Sequence, residues 1–315
     1  MKILDYDYVR QLPVTPLQIY NWVEEMLYNK DKVILPPKIS MKMPNHSFYN
    51  VMPCIIPDSN VMGVKVITRL PSRGEDTPSL TSQIILYDLM SGNLKALVDG
   101  NYITAMRTGS VAAHSLKLFA RNNFKSIGII GLGITATATF DIITHLYPER
   151  EMLIKLYRYK NQAEQFISRY NNYNNLRFSI EDNIEDIISN SDIIISCVTY
   201  TEDNFASDEF YKEGCTVIPV HTRGFQNCDL FFDKVYGDDT GHVEGFRYFK
   251  QFKQFAEVSD VLLGKKKGRE NDSERILVYN IGLAMHDVYI ANKYYLVATD
   301  AKDLDFTQPT KKMWL

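Results

Sequence analysis

Ser126-Ile127-Gly128-Ile129-Ile130-Gly131-Leu132-Gly133-Ile134-Thr135-Ala136 is the stretch that decides how this chain folds. A short apolar run of β type stops at a glycine, and a helix-forming segment, residues 135–146, follows at once. A dinucleotide-binding turn requires that order. Gly131 permits the tight turn, Gly133 lets the backbone approach a pyrophosphate, and the small Ala136 lets helix and strand pack closely. Ile134, Thr135 and Ala136 open the helix, whose free N–H groups point at the phosphates. The spacing alone also fits an ordinary strand-to-helix turn. Context favours the nucleotide reading, because a second strand-like run, residues 152–157, arrives where a βαβ unit would put it.

Working outward, helical and strand-like segments alternate downstream: 162–170, 176–180, 184–189, 192–198 and 216–220. Such alternation predicts an α/β protein with a Rossmann-type, doubly wound parallel sheet. Residues 192–198 are apolar through their middle, as a strand buried on both faces should be. Upstream, a helical segment at 16–28 precedes strand-like runs at 38–42, 63–69, 82–88 and 94–98. Ser91-Gly92-Asn93 separates the last two as a hairpin would. Residues 104–119 read as a helix with small residues along one side. Past residue 234 the strand signal fades into a helical, aromatic-rich stretch at 243–263. Residues 276–279 and a last helix at 283–295 finish the core, and 301–315 reads as a flexible tail.

Composition bounds the function classes. The 315 residues suffice for about two domains, and 45% hydrophobic with 23% charged content is that of a soluble globular protein. A net charge of -3 gives no global attraction to nucleic acid or to an anionic membrane. The basic run Lys265-Lys266-Lys267-Gly268-Arg269 has no interleaved aromatic residues and reads as a solvated turn. Four cysteines without C-x-x-C spacing argue for reduced thiols rather than a disulfide framework or a zinc site. The histidines show no metal-ligand spacing, so no catalytic metal is expected. No apolar run approaches the roughly 20 residues that span a bilayer. A cytoplasmic protein is the expectation.

Several motifs flank the nucleotide turn in a fixed order. Gly63-Val64-Lys65-Val66, Leu94-Lys95-Ala96-Leu97-Val98-Asp99-Gly100 and Ile103-Thr104-Ala105-Met106-Arg107-Thr108-Gly109-Ser110 precede it. Ala256-Glu257-Val258-Ser259-Asp260-Val261-Leu262-Leu263-Gly264 and Gly282-Leu283-Ala284-Met285-His286-Asp287 follow it. Together they resemble the ornithine cyclodeaminase / mu-crystallin family from about residue 35 to 295. The resemblance implies a discontinuous α+β substrate and dimerisation domain, residues 1–115 with 276–315, and an inserted NAD(P)-binding Rossmann domain, residues 116–275. It also implies a homodimer. Members include cyclodeaminases, ketimine reductases, alanine dehydrogenases and opine-type dehydrogenases. All act at a carbon–nitrogen bond beside a carboxylate, with a nicotinamide as hydride carrier.

The resemblance assigns roles residue by residue. Lys65 becomes a substrate-binding acid/base lysine, where its apolar neighbours alone would equally fit an outward strand lysine. Burial in a closed site lowers a lysine pKa into a useful range. Arg107 grips the substrate carboxylate, a task suited to a planar two-pronged cation. Lys38 stands where the family often has arginine and offers a point charge. Asp287 matches a family aspartate near the active cleft. Thr199 follows a buried strand, where it would line the nucleotide cleft or simply end the strand.

Two departures bear on chemistry. Tyr157-Arg158-Tyr159-Lys160 carries no acid at the end of the second strand, so Arg158 favours NADP(H), with NAD(H) possible. In Val220-His221-Thr222-Arg223-Gly224-Phe225, Arg223 falls where cyclodeaminases have an aspartate, when Asp229 is aligned with the family's structural acid. His221 would be a general acid, a nicotinamide-side contact or a satisfied strand-end histidine. Arg223 would bind a second carboxylate. The expected function is therefore an NADP(H)-dependent oxidoreductase acting on an amino-acid-derived imine, its partner a small amino acid or keto acid. The alternatives are ornithine cyclodeaminase, using NAD catalytically, and a catalytically inactive NADPH-binding protein.

Overall fold

The computed structural model describes residues 1–71, 77–198, 201, 203–220, 225, 230–306 and 311–312. The chain divides into two compact units. One comprises Met1–Thr15, Asn29–Arg107 and Leu283–Leu315; the other comprises Pro16–Tyr28 and Thr108–Gly282. In chain order the elements begin with β1 (Lys2–Leu4), α1 (Tyr6–Gln11), α2 (Pro16–Tyr28), β2 (Ile39–Met43), β3 (Ser47–Ile56), β4 (Val61–Arg69), β5 (Leu80–Asp88) and β6 (Leu94–Asp99). Then come α3 (Asn101–Phe119), β7 (Ser126–Ile130), α4 (Ile134–Leu146), β8 (Met152–Tyr157), α5 (Gln162–Tyr170), β9 (Leu176–Glu181), α6 (Ile184–Ser189), β10 (Ile193–Ser196) and β11 (Thr216–Pro219). The chain closes with β12 (Lys234–Gly237), α7 (Thr240–Val243), β13 (Phe255–Glu257), α8 (Val258–Leu262), β14 (Ile276–Tyr279), α9 (Ala284–Val297) and β15 (Lys302–Asp303).

The first unit is built on a mixed seven-stranded sheet, β15-β1-β6-β5-β4-β3-β2. All its neighbouring strands pair antiparallel except β1 and β6. Because successive side chains alternate faces, Val61, Gly63 and Lys65 of β4 all point to one side. That side is buried, together with Met52, Cys54 and Ile56 of β3 and Ile84 and Leu86 of β5. Helix α9 covers it and is itself buried at every residue from 284 to 292. Gly63 sets how closely the helix lies: a Cβ there would sit 3.1 Å from both methyl carbons of Val288 and 2.8 Å from the carbonyl oxygen of Ile85.

The second unit carries an eight-stranded sheet, β13-β12-β14-β11-β10-β7-β8-β9, parallel throughout. The α/β class with a Rossmann-type sheet is therefore as the sequence predicts. β7 and β10 are buried at every residue, which accounts for their unbroken apolar runs.

Three segments differ from expectation. Residues 243–263 are not one helix but contain a single turn at Phe249–Gln251, strand β13 and the short α8. Phe246, Phe249, Phe252 and Phe255 recur every three residues and imitate helical periodicity, yet they pack as an aromatic cluster. Phe249 stands edge-on to Phe255 at 4.9 Å and to Phe252 at 5.6 Å. β12, four fully buried residues, begins where the strand signal of the sequence fades. The tail is not free throughout, since Lys302–Asp303 pairs antiparallel with β1. β14 joins the parallel sheet between β11 and β12.

Candidate functional site

In the first unit, three charged side chains meet in a buried group. Lys65 Nζ donates to Asp287 Oδ1 at 2.9 Å, and Arg107 Nε donates to the same oxygen at 2.9 Å. Lys65 and Asp287 are 0% exposed and Arg107 is 6% exposed. Strand alternation aims Lys65 inward, and α9 brings Asp287 over it from its first turn, where the helix dipole favours an anion. Arg107 arrives on α3. Among the described residues its only side-chain hydrogen bond is the one through Nε. Asp287 Oδ2 is buried and has no hydrogen-bond partner among the described residues.

The electrostatics follow from that arrangement. Burial first, then the Arg107 guanidinium, pushes Lys65 down to about 7 against the pull of Asp287; Lys38 adds a smaller push. Burial acts to raise the Asp287 carboxyl, but Arg107 and Lys65 outweigh it and hold the group below its ordinary range. The neighbouring Cys54 thiol is pushed up to about 12, by burial and then by the Asp287 charge, so it stays protonated. Lys38 lies just before β2 and contributes through its field on Lys65.

In the second unit, the nucleotide turn lines a cavity of about 390 Å³. Ile130, Gly131, Leu132 and Gly133 form one wall, with Cys197 and Val198 beyond the end of β10. Tyr157, Tyr159, Gln162, Ile184 and Phe205 also line it. Gly131 has φ of 84°, and a Cβ there would lie 2.8 Å from the backbone nitrogen of Val198. Gly133 differs: among the described residues a Cβ on it would meet nothing within 4 Å, which leaves open space beside the first turn of α4. Ala136 is buried and Ile134 is 68% exposed. These features fit a dinucleotide whose pyrophosphate lies against the turn and the helix N-terminus.

Arg158 follows β8, where it donates from Nε to Asp182 and from Nη1 to Glu164. Thr199, His221 and Arg223 lie outside the described residues, as does Asp229. The sequence reading brought out neither Cys197, Val198 and Tyr157 as cavity walls nor the acids that hold Arg158. The rule that ligands bind beyond the carboxyl ends of parallel strands would have found the first group. Among the described residues, no group of three or more His, Cys, Asp or Glu side chains could hold a metal ion. No described helix is long and apolar enough to cross a membrane.

The family model of ornithine cyclodeaminase/mu-crystallin matches residues 8–301. The chain belongs to that family. Nodulation efficiency protein NfeD of Rhizobium meliloti is 27% identical over 84% of this chain and 84% of its own. Delta(1)-pyrroline-2-carboxylate reductase of Bacillus thuringiensis subsp. konkukian is 25% identical over 87% of this chain and 89% of its own. Among solved structures, Thermococcus litoralis Delta(1)-pyrroline-2-carboxylate reductase superposes with a TM-score of 0.82 at 23% identity, over 94% of this chain and 97% of that one. That likeness shows a shared fold.

Proposed function

We propose that this protein is a nicotinamide-dependent oxidoreductase that reduces the carbon–nitrogen double bond of an imine bearing a carboxylate. The buried Lys65–Asp287–Arg107 group carries the reading. Two cations share one carboxylate oxygen in a buried setting, and Lys38 adds positive potential. Such a site is short of one negative charge, which a substrate carboxylate supplies. Arg107 receives it through the terminal nitrogens that Asp287 does not engage. Among the described residues Asp287 Oδ2 has no donor, and the N–H of the imine or product amine is one of fitting chemistry.

Lys65, poised at about 7, can give or take a proton at nitrogen near neutral pH. A bound carboxylate favours its charged form, so substrate binding itself readies the lysine as a proton donor. A nicotinamide, when bound, supplies hydride to the imine carbon. The second unit's glycine turn, its adjoining cavity and the first turn of α4 are suited to hold that dinucleotide. Arg158 favours NADP(H) over NAD(H) through the 2′-phosphate. The similar protein named as a pyrroline-2-carboxylate reductase supports a small, amino-acid-derived imine as substrate. A homodimer formed through the first unit belongs to the same reading; Ile39, Met41 and Met43 of the edge strand β2 leave an exposed apolar row for it.

The test is a panel of cyclic imine carboxylates, and of 2-keto acids paired with amines, offered with NADPH or NADH. Consumption of reduced nicotinamide equal to amine formed, with product mass recorded, is the expected result. Ornithine giving proline and ammonia without net nicotinamide change would reassign the protein as a cyclodeaminase. Tight nucleotide binding with no turnover on the whole panel would leave only a binding protein.

A further inference from the structure

We propose that Asp182 and Glu164, by holding Arg158, restrain its preference for NADP(H), so that the protein binds NADH as well as NADPH. The inference rests on the dinucleotide reading above and names the residues that set its selectivity. Arg158 Nε donates to Asp182 Oδ1 at 2.6 Å, and Nη1 donates to Glu164 Oε1 at 2.9 Å. The fold dictates both contacts. β8 and β9 are parallel neighbours with Tyr157 opposite Glu181, so the residues that follow them, Arg158 and Asp182, leave the sheet side by side. Arg158 N also donates to the carbonyl of Glu181 at 2.9 Å. Glu164 lies in the first turn of α5, where the helix dipole stabilises its charge.

The groups that pair with the guanidinium are both acids, Asp182 on Nε and Glu164 on Nη1, whereas Lys160 rests with its Nζ 5.7 Å from the centre of the Tyr159 ring. A 2′-phosphate brings nearly two negative charges to an arginine already paired with two carboxylates. It must displace one and tolerate the other. A ribose 2′-hydroxyl faces no such conflict, because it can donate to a carboxylate. The side chains of Arg158, Asp182 and Glu164 are 45%, 79% and 51% exposed, so solvent moderates the repulsion without removing it.

The experiment measures dissociation constants for NADPH and NADH by nicotinamide fluorescence, for the native protein and for Asp182→Asn/Glu164→Gln. Native selectivity for NADPH is expected to be modest. Removing two charges several ångströms from the phosphate should tighten NADPH by roughly tenfold at low salt, with NADH within about twofold. Adding Arg158→Ala to the double variant should abolish that gain. NADPH affinity unchanged in the double variant, or both nucleotides tightening together, would overturn the inference while leaving the dinucleotide reading intact. Failure of the native protein to bind either nucleotide would overturn the dinucleotide reading itself, and this inference with it.

Discussion

Lys65 and Asp287 form a fully buried ion pair at 2.9 Å, although 222 residues separate them in the chain. Strand β4 presents the cation and helix α9 the anion, so the pair exists only when the two ends of the first unit have come together. Neither side chain is exposed to solvent. The pair is therefore a poor source of stability and a sensitive setting for proton chemistry.

The pH dependence of the reaction tests that setting. Lys65 lies at about 7, so as a proton donor its charged form is lost as pH rises through that value. In the reductive direction, kcat/KM should be level below the limb and fall above it. Asp287 pulls the lysine pKa up, so Asp287→Asn should move the limb to lower pH. The substrate's own titration is common to both proteins, and the displacement between their profiles reads Lys65 alone. A limb that stays in place, or moves upward, counts against Lys65 as the donor.

Arg107 is tested by geometry rather than by charge. Arg107→Lys keeps a cation but loses the planar fork, and should cost about 1–3 kcal/mol in kcat/KM, mostly through KM. Arg107→Ala should cost about 2–5 kcal/mol, because it also strips a charge partner from the buried Asp287. Nucleotide affinity should be unchanged in both. Steady-state kinetics beside fluorescence titration separate the two readouts, and an unaltered KM in Arg107→Lys would remove the proposed carboxylate grip.

What the sequence made legible, and what it hid, divides along physical lines. The glycine turn could be read because β7 is a buried run of isoleucines that ends where Gly131 needs positive φ. Arg158 could be read as a cation at a strand end, but its restraint by Asp182 and Glu164 depends on strand register and a helix start. Lys65 is the instructive case. Both faces of β4 carry apolar residues, so alternation cannot say which way the lysine points. Only the family resemblance assigned it a role, and its partner lies at the far end of the chain.

The two glycines of the nucleotide turn should fail in different ways. Gly131→Ala forces a side chain into φ of 84° and against the backbone of Cys197 and Val198 at 2.8–3.0 Å. It should destabilise the fold by about 1–3 kcal/mol and weaken nucleotide binding. Gly133→Ala has φ of -82° and, among the described residues, meets no atom within 4 Å. Its stability should change by about 1 kcal/mol or less, as for a helix-cap substitution. Its methyl group would nevertheless occupy the space proposed for the pyrophosphate, so nucleotide affinity should drop. Thermal unfolding and nucleotide titration of both variants check this, and a Gly133→Ala protein that binds nucleotide normally would move the phosphates elsewhere.

Gly63 offers a test at one remove from the charges. A Cβ at this position would press on both methyl groups of Val288, at 3.1 Å, and on the Ile85 carbonyl oxygen, at 2.8 Å. The carbonyl belongs to β5, paired on either side, so α9 is the more mobile neighbour. Gly63→Ala should cost about 1–3 kcal/mol of stability through overpacking. Because Val288 adjoins Asp287, displacement of the helix should also lengthen the Lys65–Asp287 contact and shift the pH limb downward, as Asp287→Asn does. Val288→Ala removes the methyl contacts but not the carbonyl contact, so the double variant should recover part of the stability and of the pH profile. Additive stability losses in the Gly63→Ala/Val288→Ala cycle would show that the two residues do not couple. The close approach of α9 would then not be what positions Asp287.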